Sequence, residues 1–351
     1  MIWKSFRFHS LTIQKNINFA NDSITENIDM RLKKTIIFVV NPKSGTEGKE
    51  AIIKKIEEHI DRSIYDYQIV KTAYAGHAEE IARNAARFYT DIIVAVGGDG
   101  TVNEIARGII HTNSALGIIP CGSGNGLARH LHIPTDPLSA IAILNKGYRL
   151  CIDYGKINNK PFFCTCGVGF DAFVSLKFAD SGKRGPITYI QNTLKECLTY
   201  KPETYEIVNE EMSIKHKAFL IACANASQYG NNAYIAPQAS LTDGLLDITI
   251  LEPFTVLDVP SLAFRLFNKT IDQDSRIKTY QTKRVTIHRA KPSVIHIDGD
   301  PVMGEAELNV EIVPKGLNVI TTPEDEKRET PNFLQQISEL LTGLSPINIK
   351  K

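Results

Sequence analysis

The sequence contains no apolar run approaching the ~18 residues that a membrane-spanning helix requires. Its six cysteines are dispersed and include no CxxC pair, which excludes a zinc or dithiol framework of that type. The formal net charge is only +1, so composition gives no indication of nucleic acid as a partner. The basic N-terminal stretch lacks the continuous apolar segment and the small-residue cleavage site of a secretory signal. These absences favour a globular protein with reduced thiols and a cytoplasmic location.

The two ends of the chain differ from its middle in their hydrophobic pattern. Residues 1–33 have no regular hydrophobic period, so we expect a loose N-terminal extension. Near the other end, a polar stretch over 321–332 precedes apolar residues at helical spacing over 333–344. This spacing predicts a helix that docks on the protein, within a segment of about 314–345 that packs back on the first domain. An interfacial membrane helix is the alternative, which the scarcity of Lys and Arg on its polar face disfavours.

Residues 34–150 alternate apolar runs with amphipathic stretches. The runs TIIFVV (35–40), YDYQIVKT (65–72), DIIVAV (91–96) and ALGIIP (115–120) are each followed by a turn and a helical pattern. This alternation predicts an α/β nucleotide-binding domain with a parallel sheet covered on both faces. Over 151–313, short β-like runs and one helical stretch predict a mainly antiparallel β-sandwich domain.

The turn GGDGTVNE, residues 97–104, links one apolar strand to a helix. In an α/β sheet, ligands bind beyond the carboxyl ends of the strands. Glycines let the backbone approach a ligand, and the free N–H groups of the following helix suit a phosphate. Asp99 would repel a phosphate unless a cation lay between them, and Mg²⁺ is commonly held by a carboxylate and substrate phosphates together. The turn therefore predicts a magnesium-nucleotide site.

A simpler interpretation is that this turn only starts a helix. Thr101 and Glu104 have the S/T-x-x-E spacing of a capping box. A cap, however, requires neither three glycines nor Asp99. We therefore favour the nucleotide site over a plain turn.

Two further glycine loops should lie at the same edge of the sheet. NPKSG (41–45) follows the first strand, and PCGSGNG (120–126) ends the fourth, with Ser123 and Asn125 as donors. Neither matches the phosphate loop GxxxxGK[ST] or the dinucleotide motif GxGxxG. Three glycine loops after strands of one sheet are a stronger signal than any one of them.

In order, NPKSG, KTAYAGHAEEIA, VGGDGTVNE and IIPCGSGNGLARHL resemble the catalytic domain of the diacylglycerol kinase family. That family includes bacterial lipid kinases, sphingosine kinases and ceramide kinases. GVGFDA (167–172), the stretch 224–248 and HIDGDPV (296–302) extend the resemblance to the second half. GGDGT alone is shared with NAD kinases and 6-phosphofructokinases, so the ordered series carries the resemblance.

The resemblance implies an ATP-dependent kinase with Mg²⁺, and it assigns roles to individual positions. It implies a structural metal held by Asp243 and the carbonyl groups of Ser240 and Leu245. The residues implied in nucleotide binding are Asn41, Pro42, Lys43, Ser44, Gly45, Thr72, Gly97, Gly98, Asp99, Gly100, Thr101, Asn103, Gly122 and Ser123.

The resemblance also implies that Asp298 is the general base that takes the proton of the lipid hydroxyl. Phosphoryl transfer requires positioning, charge neutralisation and such a proton acceptor. Asp99 is the rival base, because sphingosine kinases give that role to the acid of the glycine turn; we assign Asp99 to Mg²⁺ and phosphate. From the residues alone, Asp298 and Asp243 could equally belong to ordinary turns.

Diacylglycerol, giving phosphatidic acid, is the expected acceptor. A sphingoid base or ceramide is the close alternative, because Gly126 follows Asn125 where many bacterial diacylglycerol kinases have Asp. A second departure is Asp300, where many members have Glu. We expect transient, peripheral contact with a membrane surface and no nucleic acid as a partner. A homodimer stays an open alternative.

Two other classes remain as alternatives. An NAD kinase shares GGDGT, but NPKSG and the DGLLD segment argue against it. A catalytically silent nucleotide- or lipid-binding regulator is disfavoured because Asp99, Asp243 and Asp298 are all present.

Overall fold

The structure is a computed structural model that describes residues 33–45, 48–181, 196–197, 199–210 and 213–323. The predicted N-terminal extension, the predicted helix over 333–344 and most of the helical stretch near 187–200 lie outside these ranges. Within the described ranges, no helix is both long enough and apolar enough to cross a membrane.

The first half alternates strands and helices, as predicted. The elements are β1 Lys34–Val40, α1 Lys49–His59, β2 Tyr65–Lys71, α2 His77–Arg87, β3 Ile92–Gly97, α3 Asp99–Ile109, β4 Ala115–Pro120, α4 Gly126–His130 and α5 Pro137–Lys146. The strands pair in parallel in the order β2-β1-β3-β4. The pairs α1–α5 and α2–α3 pack against each other, and β3 and β4 are buried throughout. Such continuous burial is typical of parallel strands covered on both faces.

The second half is mainly antiparallel. Its elements are β5 Arg149–Ile157, β6 Lys160–Phe162, β7 Thr165–Gly169, α6 Phe170–Ser181, β8 Glu203–Val208, β9 Ser213–Ala218, β10 Leu220–Ala224, β11 Leu246–Leu251, α7 Val259–Phe267, β12 Ile277–Thr282, β13 Arg284–His288, β14 Ser293–Ile297, β15 Asp300–Gly304 and β16 Glu307–Ile320. Short 3₁₀ helices span Val256–Asp258 and Ile271–Gln273. One antiparallel sheet has the order β12-β11-β10-β7-β14-β15.

The long strand β16 joins the two halves. It pairs antiparallel with β13 and β5, and its last residues pair in parallel with β4. The resulting sheet runs β2-β1-β3-β4-β16-β13-β8-β9, so strands of the second half extend the sheet of the first. Burial along β16 alternates at its start and becomes nearly continuous where it reaches β4. This change is expected when a strand passes from a sandwich into a sheet covered on both faces.

The sandwich core lies between this extended sheet and the second sheet. It includes Ile157, Phe162, Ile287 and Val310 from the former and Cys166, Val168, Ile221 and Ile248 from the latter. Because both sheets present one apolar face inward, the fold is the α/β domain followed by an antiparallel sandwich that the sequence predicts.

Candidate active site

The three glycine loops lie side by side at the carboxyl ends of β1, β3 and β4. The Asn41 N–H donates to the carbonyl of Val96 at 3.1 Å, and the Cys121 N–H donates to that of Gly97 at 2.8 Å. The Asn41 side chain donates to Thr101 Oγ1 at 3.1 Å. The first loop is therefore tied to the first turn of α3.

Asn41 also shapes its own loop. Its side-chain oxygen accepts from the Lys43 N–H at 3.0 Å, and its carbonyl accepts from Ser44 Oγ at 3.0 Å. Pro42 is exposed in this loop. Thr72 joins the same edge, since its N–H donates to the Val40 carbonyl at 2.9 Å. The predicted nucleotide-binding residues of β1 and β2 are thus brought together.

Gly98 and Asp99 hold the second loop against the third. A Cβ atom at Gly98 would lie 3.2 Å from the Cα of Gly122, so the two loops touch through their glycines. The Asp99 carboxylate accepts the N–H groups of Asn125 at 2.8 Å and Gly126 at 2.7 Å. Contacts between the loops therefore account for two residues of the GGDG motif, Gly98 and Asp99.

Contacts between the loops do not explain Gly100. A Cβ atom at Gly100 would meet no atom within 4 Å beyond its neighbours and its own helix, and the backbone there is helical with no positive φ. A glycine inside a helix costs about 0.5–1 kcal/mol relative to Ala. A glycine kept in open space at a helix N-terminus is expected where a ligand approaches the backbone closely.

The capping-box interpretation of this turn is wrong. The N-cap of α3 is Gly98, and no side chain caps this helix. The Glu104 carboxylate instead accepts the N–H groups of Gly76 at 2.8 Å and Ala78 at 3.1 Å, at the start of α2. The acid thus stabilises the neighbouring helix, whose free N–H groups it satisfies.

The third loop is closed by Asn125, which has a left-handed backbone with φ of 52°. Its side chain accepts from the Gly122 N–H at 3.0 Å and donates to the Gly122 carbonyl at 2.7 Å. Ser123 is exposed at the tip. The Asn231 N–H from the second half donates to the Gly124 carbonyl at 3.0 Å, so the sandwich supports this loop.

Asp298 belongs to the second half and lies in the two-residue turn between β14 and β15. We call the region between this hairpin and the glycine loops the cleft, and these two parts its walls. Asp298 and Gly299 have φ values of 49° and 87°, as a tight hairpin requires. The Asp298 carboxylate accepts the N–H groups of Phe163 at 2.8 Å, Cys164 at 2.8 Å and Thr165 at 3.1 Å.

A fourth donor to Asp298 comes from the first half. Asn103 Nδ2 donates to Asp298 Oδ2 at 2.5 Å, and the Asn103 side-chain oxygen in turn accepts from Arg107. A carboxylate has about four acceptor positions, so those of Asp298 are filled. Burial raises the pKa of Asp298 to about 6, against the lowering effect of the backbone N–H groups and of His296.

Asp300, at the start of β15, is exposed. Partial desolvation of its carboxylate raises its pKa; Arg107 lowers it, while Asp99 and Glu104 raise it. Asp99, Glu104 and Arg107 of the first half are therefore within electrostatic reach of Asp300 in the second. Arg107 is also bonded to Glu79 at 2.9 Å, which fixes its position on α3.

Asp171, Tyr229 and His296 form a hydrogen-bonded group, and none of them was predicted as a site residue. Asp171 Oδ2 lies 3.0 Å from His296 Nε2 and accepts from the Tyr229 hydroxyl at 3.0 Å. His296 is 1% exposed and sits on β14 two residues before Asp298. GVGFDA and HIDGD mark two of the three residues in the sequence, but nothing local indicates that they meet.

The residues predicted to hold a structural metal form a turn. Asp243 is exposed, and its Oδ1 accepts from the Leu245 N–H at 3.0 Å. Ser240 Oγ lies 3.4 Å from Thr242 Oγ1. The buried carboxylate of Asp153 accepts the Gly244 N–H at 2.8 Å and so fixes the turn. In the described part of the chain, no three His, Cys, Asp or Glu side chains are grouped to hold a metal.

Comparison with protein families identifies two adjoining matches. The diacylglycerol kinase catalytic domain matches residues 35–157. The YegS C-terminal NAD kinase beta sandwich-like domain matches residues 164–321. The first match ends with β5 and the second begins just before β7, so β6 lies between them, and both matches end within the described residues.

Similar proteins carry related names. A probable lipid kinase YegS-like of Enterobacter sp. (strain 638) is 27% identical over 295 residues, covering 82% of this chain and 96% of the relative. The diacylglycerol kinase of Bacillus subtilis (strain 168) is 26% identical over 267 residues, covering 75% and 88%. A crystal structure of a putative diacylglycerol kinase from Bacillus anthracis str. Sterne shares the fold, with a TM-score of 0.68 at 22% identity over 83% of this chain and 98% of that one.

The glycine loops of β1, β3 and β4 face the carboxylates of the sandwich across one cleft, in a chain matched along both halves. The protein therefore belongs to the diacylglycerol kinase family, as an ATP-dependent lipid kinase with a YegS-type C-terminal domain.

Proposed function

We propose that this protein transfers the γ-phosphate of ATP to the hydroxyl group of diacylglycerol, giving phosphatidic acid and ADP. The hydrogen bond between Asn103 and Asp298 carries this proposal, because it joins the phosphate-binding turn to the carboxylate hairpin. A donor site on one wall and a proton acceptor on the other are what phosphoryl transfer to an alcohol requires.

The nucleotide phosphates would lie at the N-terminus of α3. Its free N–H groups and the open space at Gly100 support this placement. Asn41 and Thr101, already bonded to each other, would border the same space.

A magnesium ion fits the chemistry of the cleft. Mg²⁺ usually binds one or two carboxylates together with substrate phosphates, so no complete protein cage is needed. Asp99 carries the carboxylate of the phosphate-binding turn. Asp99 is the residue that would hold the ion, which would neutralise phosphate charge. The structural metal at Asp243 stays a prediction.

The proton acceptor must have a free lone pair. Asp298 accepts four hydrogen bonds, so it can take a proton only after losing a donor. Asp300 is exposed and lies within electrostatic reach of Asp99. We therefore propose that the lipid oxygen bonds to the γ-phosphorus as the bond to the leaving ADP breaks, and that Asp300 takes the hydroxyl proton. Asp298 would position Asn103 and the hairpin.

The departure at Gly126 does not favour a sphingoid substrate. A Cβ atom there would lie 3.4 Å from both Cys164 Sγ and the Tyr229 carbonyl, so a longer side chain would meet packed atoms. Gly126 therefore lies against protein atoms at ordinary van der Waals distance, which by itself identifies no substrate. Diacylglycerol therefore stays the proposed acceptor, reached by transient contact with a membrane surface.

A phosphate-transfer assay tests the proposal. Purified protein, Mg²⁺ and radiolabelled ATP would be mixed with micelles of diacylglycerol, a sphingoid base or ceramide, and with NAD as the soluble acceptor. Label in diacylglycerol supports the proposal, while label in another lipid would correct the acceptor. Label in NAD, or ATP binding with no transfer to any acceptor, would refute the lipid-kinase activity.

A further inference from the structure

Lys49 is buried at the edge of the nucleotide site, with no partner for its amino group in the described part of the chain. It is the first residue of α1 and is only 8% exposed. Its Nζ atom is buried and makes no hydrogen bond to the residues that the structure describes. An unpaired ammonium group is strongly disfavoured in a protein interior, so a lysine there requires an anion.

The amino group of Lys49 lies beside the first glycine loop. Nζ is 3.5 Å from the place that a Cβ atom of Gly45 would occupy. Gly45 has a φ of +67° and packs so tightly on the carbonyl of Cys121 that a side chain would overlap it. The amino group is therefore next to the point where the first and third glycine loops meet.

The N-terminus of α1 adds donors at the same place. Gly48 is its N-cap, no side chain caps the helix, and a Cβ atom at Gly48 would meet nothing within 4 Å. The acid of this first turn, Glu50, is not the missing partner, because its carboxylate bonds Lys71 Nζ at 2.7 Å. An uncapped helix start and a buried cation together select an anion such as a phosphate.

We propose that Lys49 binds a phosphate group of the nucleotide. This inference rests on the proposed function only for the identity of that nucleotide as ATP. A lysine acts on phosphate as a flexible point charge, so it can follow the phosphate chain without fixed bidentate geometry. The expected consequence is selectivity for phosphorylated nucleotides over adenosine.

The test compares Lys49→Met with Lys54→Met on the same helix. Lys54 is exposed and paired only with Glu58 at 3.7 Å, so it controls for charge removal. Binding of ATP, ADP and adenosine would be measured by calorimetry on the full chain. We expect Lys49→Met to weaken ATP and ADP binding by about 10- to 100-fold, as for the loss of a charged hydrogen bond, and to leave adenosine affinity unchanged.

Thermal melting separates this role from a structural one. Without nucleotide, Lys49→Met should melt at a higher temperature than the wild-type protein, because an unpaired buried charge is removed. A structural lysine would give a lower melting temperature and equal losses for all three ligands, which would overturn the proposal. Should Lys49→Met fail to fold, Lys49→Gln, polar but uncharged, gives the same comparison.

Two results distinguish this inference from the proposed function. Equal ATP affinity in wild type and Lys49→Met would refute the role of Lys49 while leaving the kinase proposal intact. ATP binding that depends on Lys49 without transfer to diacylglycerol would refute the proposed acceptor and support the lysine. A wild-type protein that binds no ATP would refute both.

Discussion

The two walls of the cleft offer different chemistry to a substrate. The wall from the first half uses backbone: glycine loops after β1, β3 and β4 and the N-termini of α1 and α3. The wall from the second half uses side chains: Asp298 and Asp300 on a hairpin that backbone N–H groups hold in place. The first wall should therefore be sensitive to added atoms and the second to lost charge.

The largest expected effect is on the side-chain wall. Replacing Asp300 with Asn should lower kcat by about 10²- to 10⁴-fold, because a proton acceptor is lost, with ATP affinity nearly unchanged. Replacing Asp298 with Asn should also lower kcat, since an amide cannot accept all four hydrogen bonds, and should lower stability as well. Steady-state kinetics and thermal melting would measure both variants.

The pair of variants decides which acid is the base. A fully active, stable Asp300→Asn protein would return the role of base to Asp298. A loss of activity in Asp298→Asn without any loss of stability would point the same way.

The next effect concerns pH. The pKa of Asp298 rises from 3.8 to about 6 in the folded protein. Its carboxylate should therefore form as pH rises through about 6, and activity that needs this charged form should rise with it and then level off. Stability should move in the opposite direction, because the native state binds more protons than the unfolded chain between these values.

Asp247 provides a matched control for the pH experiment. Burial raises its pKa to about 6 as well, but it lies in the 340 Å³ cavity beside β11 and β12 rather than in the cleft. Asp247→Asn should reduce the fall in stability between about pH 4 and pH 6 without changing the activity profile. Asp298→Asn should reduce the same fall and also change the activity profile near pH 6, leaving only the rise that Asp300 contributes. Unchanged pH dependence of residual activity in Asp298→Asn would argue against this assignment.

A smaller effect tests the backbone wall. Gly100→Ala should keep or slightly raise the melting temperature, because Ala favours a helix by about 0.5–1 kcal/mol, and should weaken ATP binding several-fold by placing a methyl group in the phosphate space. Gly98→Ala should instead lower the melting temperature, since its methyl group would press on Gly122. Calorimetry and melting curves report both quantities. Unchanged ATP affinity in Gly100→Ala would contradict the placement of the phosphates.

The backbone wall was accessible to sequence reasoning because its signals are local. The strand over 115–120 is β4 as predicted, and the other three predicted strands match β1, β2 and β3 within one or two residues. The side-chain wall depends on contacts far apart in sequence. Asn103 and Asp298 are 195 positions apart, and no periodicity indicates that one donates to the other.

The same limit explains what the sequence did not predict. The path of β16 from the sandwich to the edge of β4 is a tertiary pairing. In the sequence, Lys49 resembles an ordinary helix residue, and only the structure shows that it is buried. Glu104 has capping-box spacing to Thr101, but the nearby start of α2 competes for its carboxylate and takes it.

The substitution of Glu104 has the smallest expected effect, and it concerns a residue that interacts with both walls. Its carboxylate holds two N–H groups at the start of α2, and it also raises the pKa of Asp300 across the cleft. Glu104→Gln should therefore cost about 0.5–2 kcal/mol of stability, as for the loss of a helix cap, in chemical denaturation. It should also lower the pKa of Asp300, so the activity of a protein that uses Asp300 as base should begin to rise at lower pH. A stability loss with an unchanged pH profile would confine Glu104 to the backbone wall and weaken the case for Asp300.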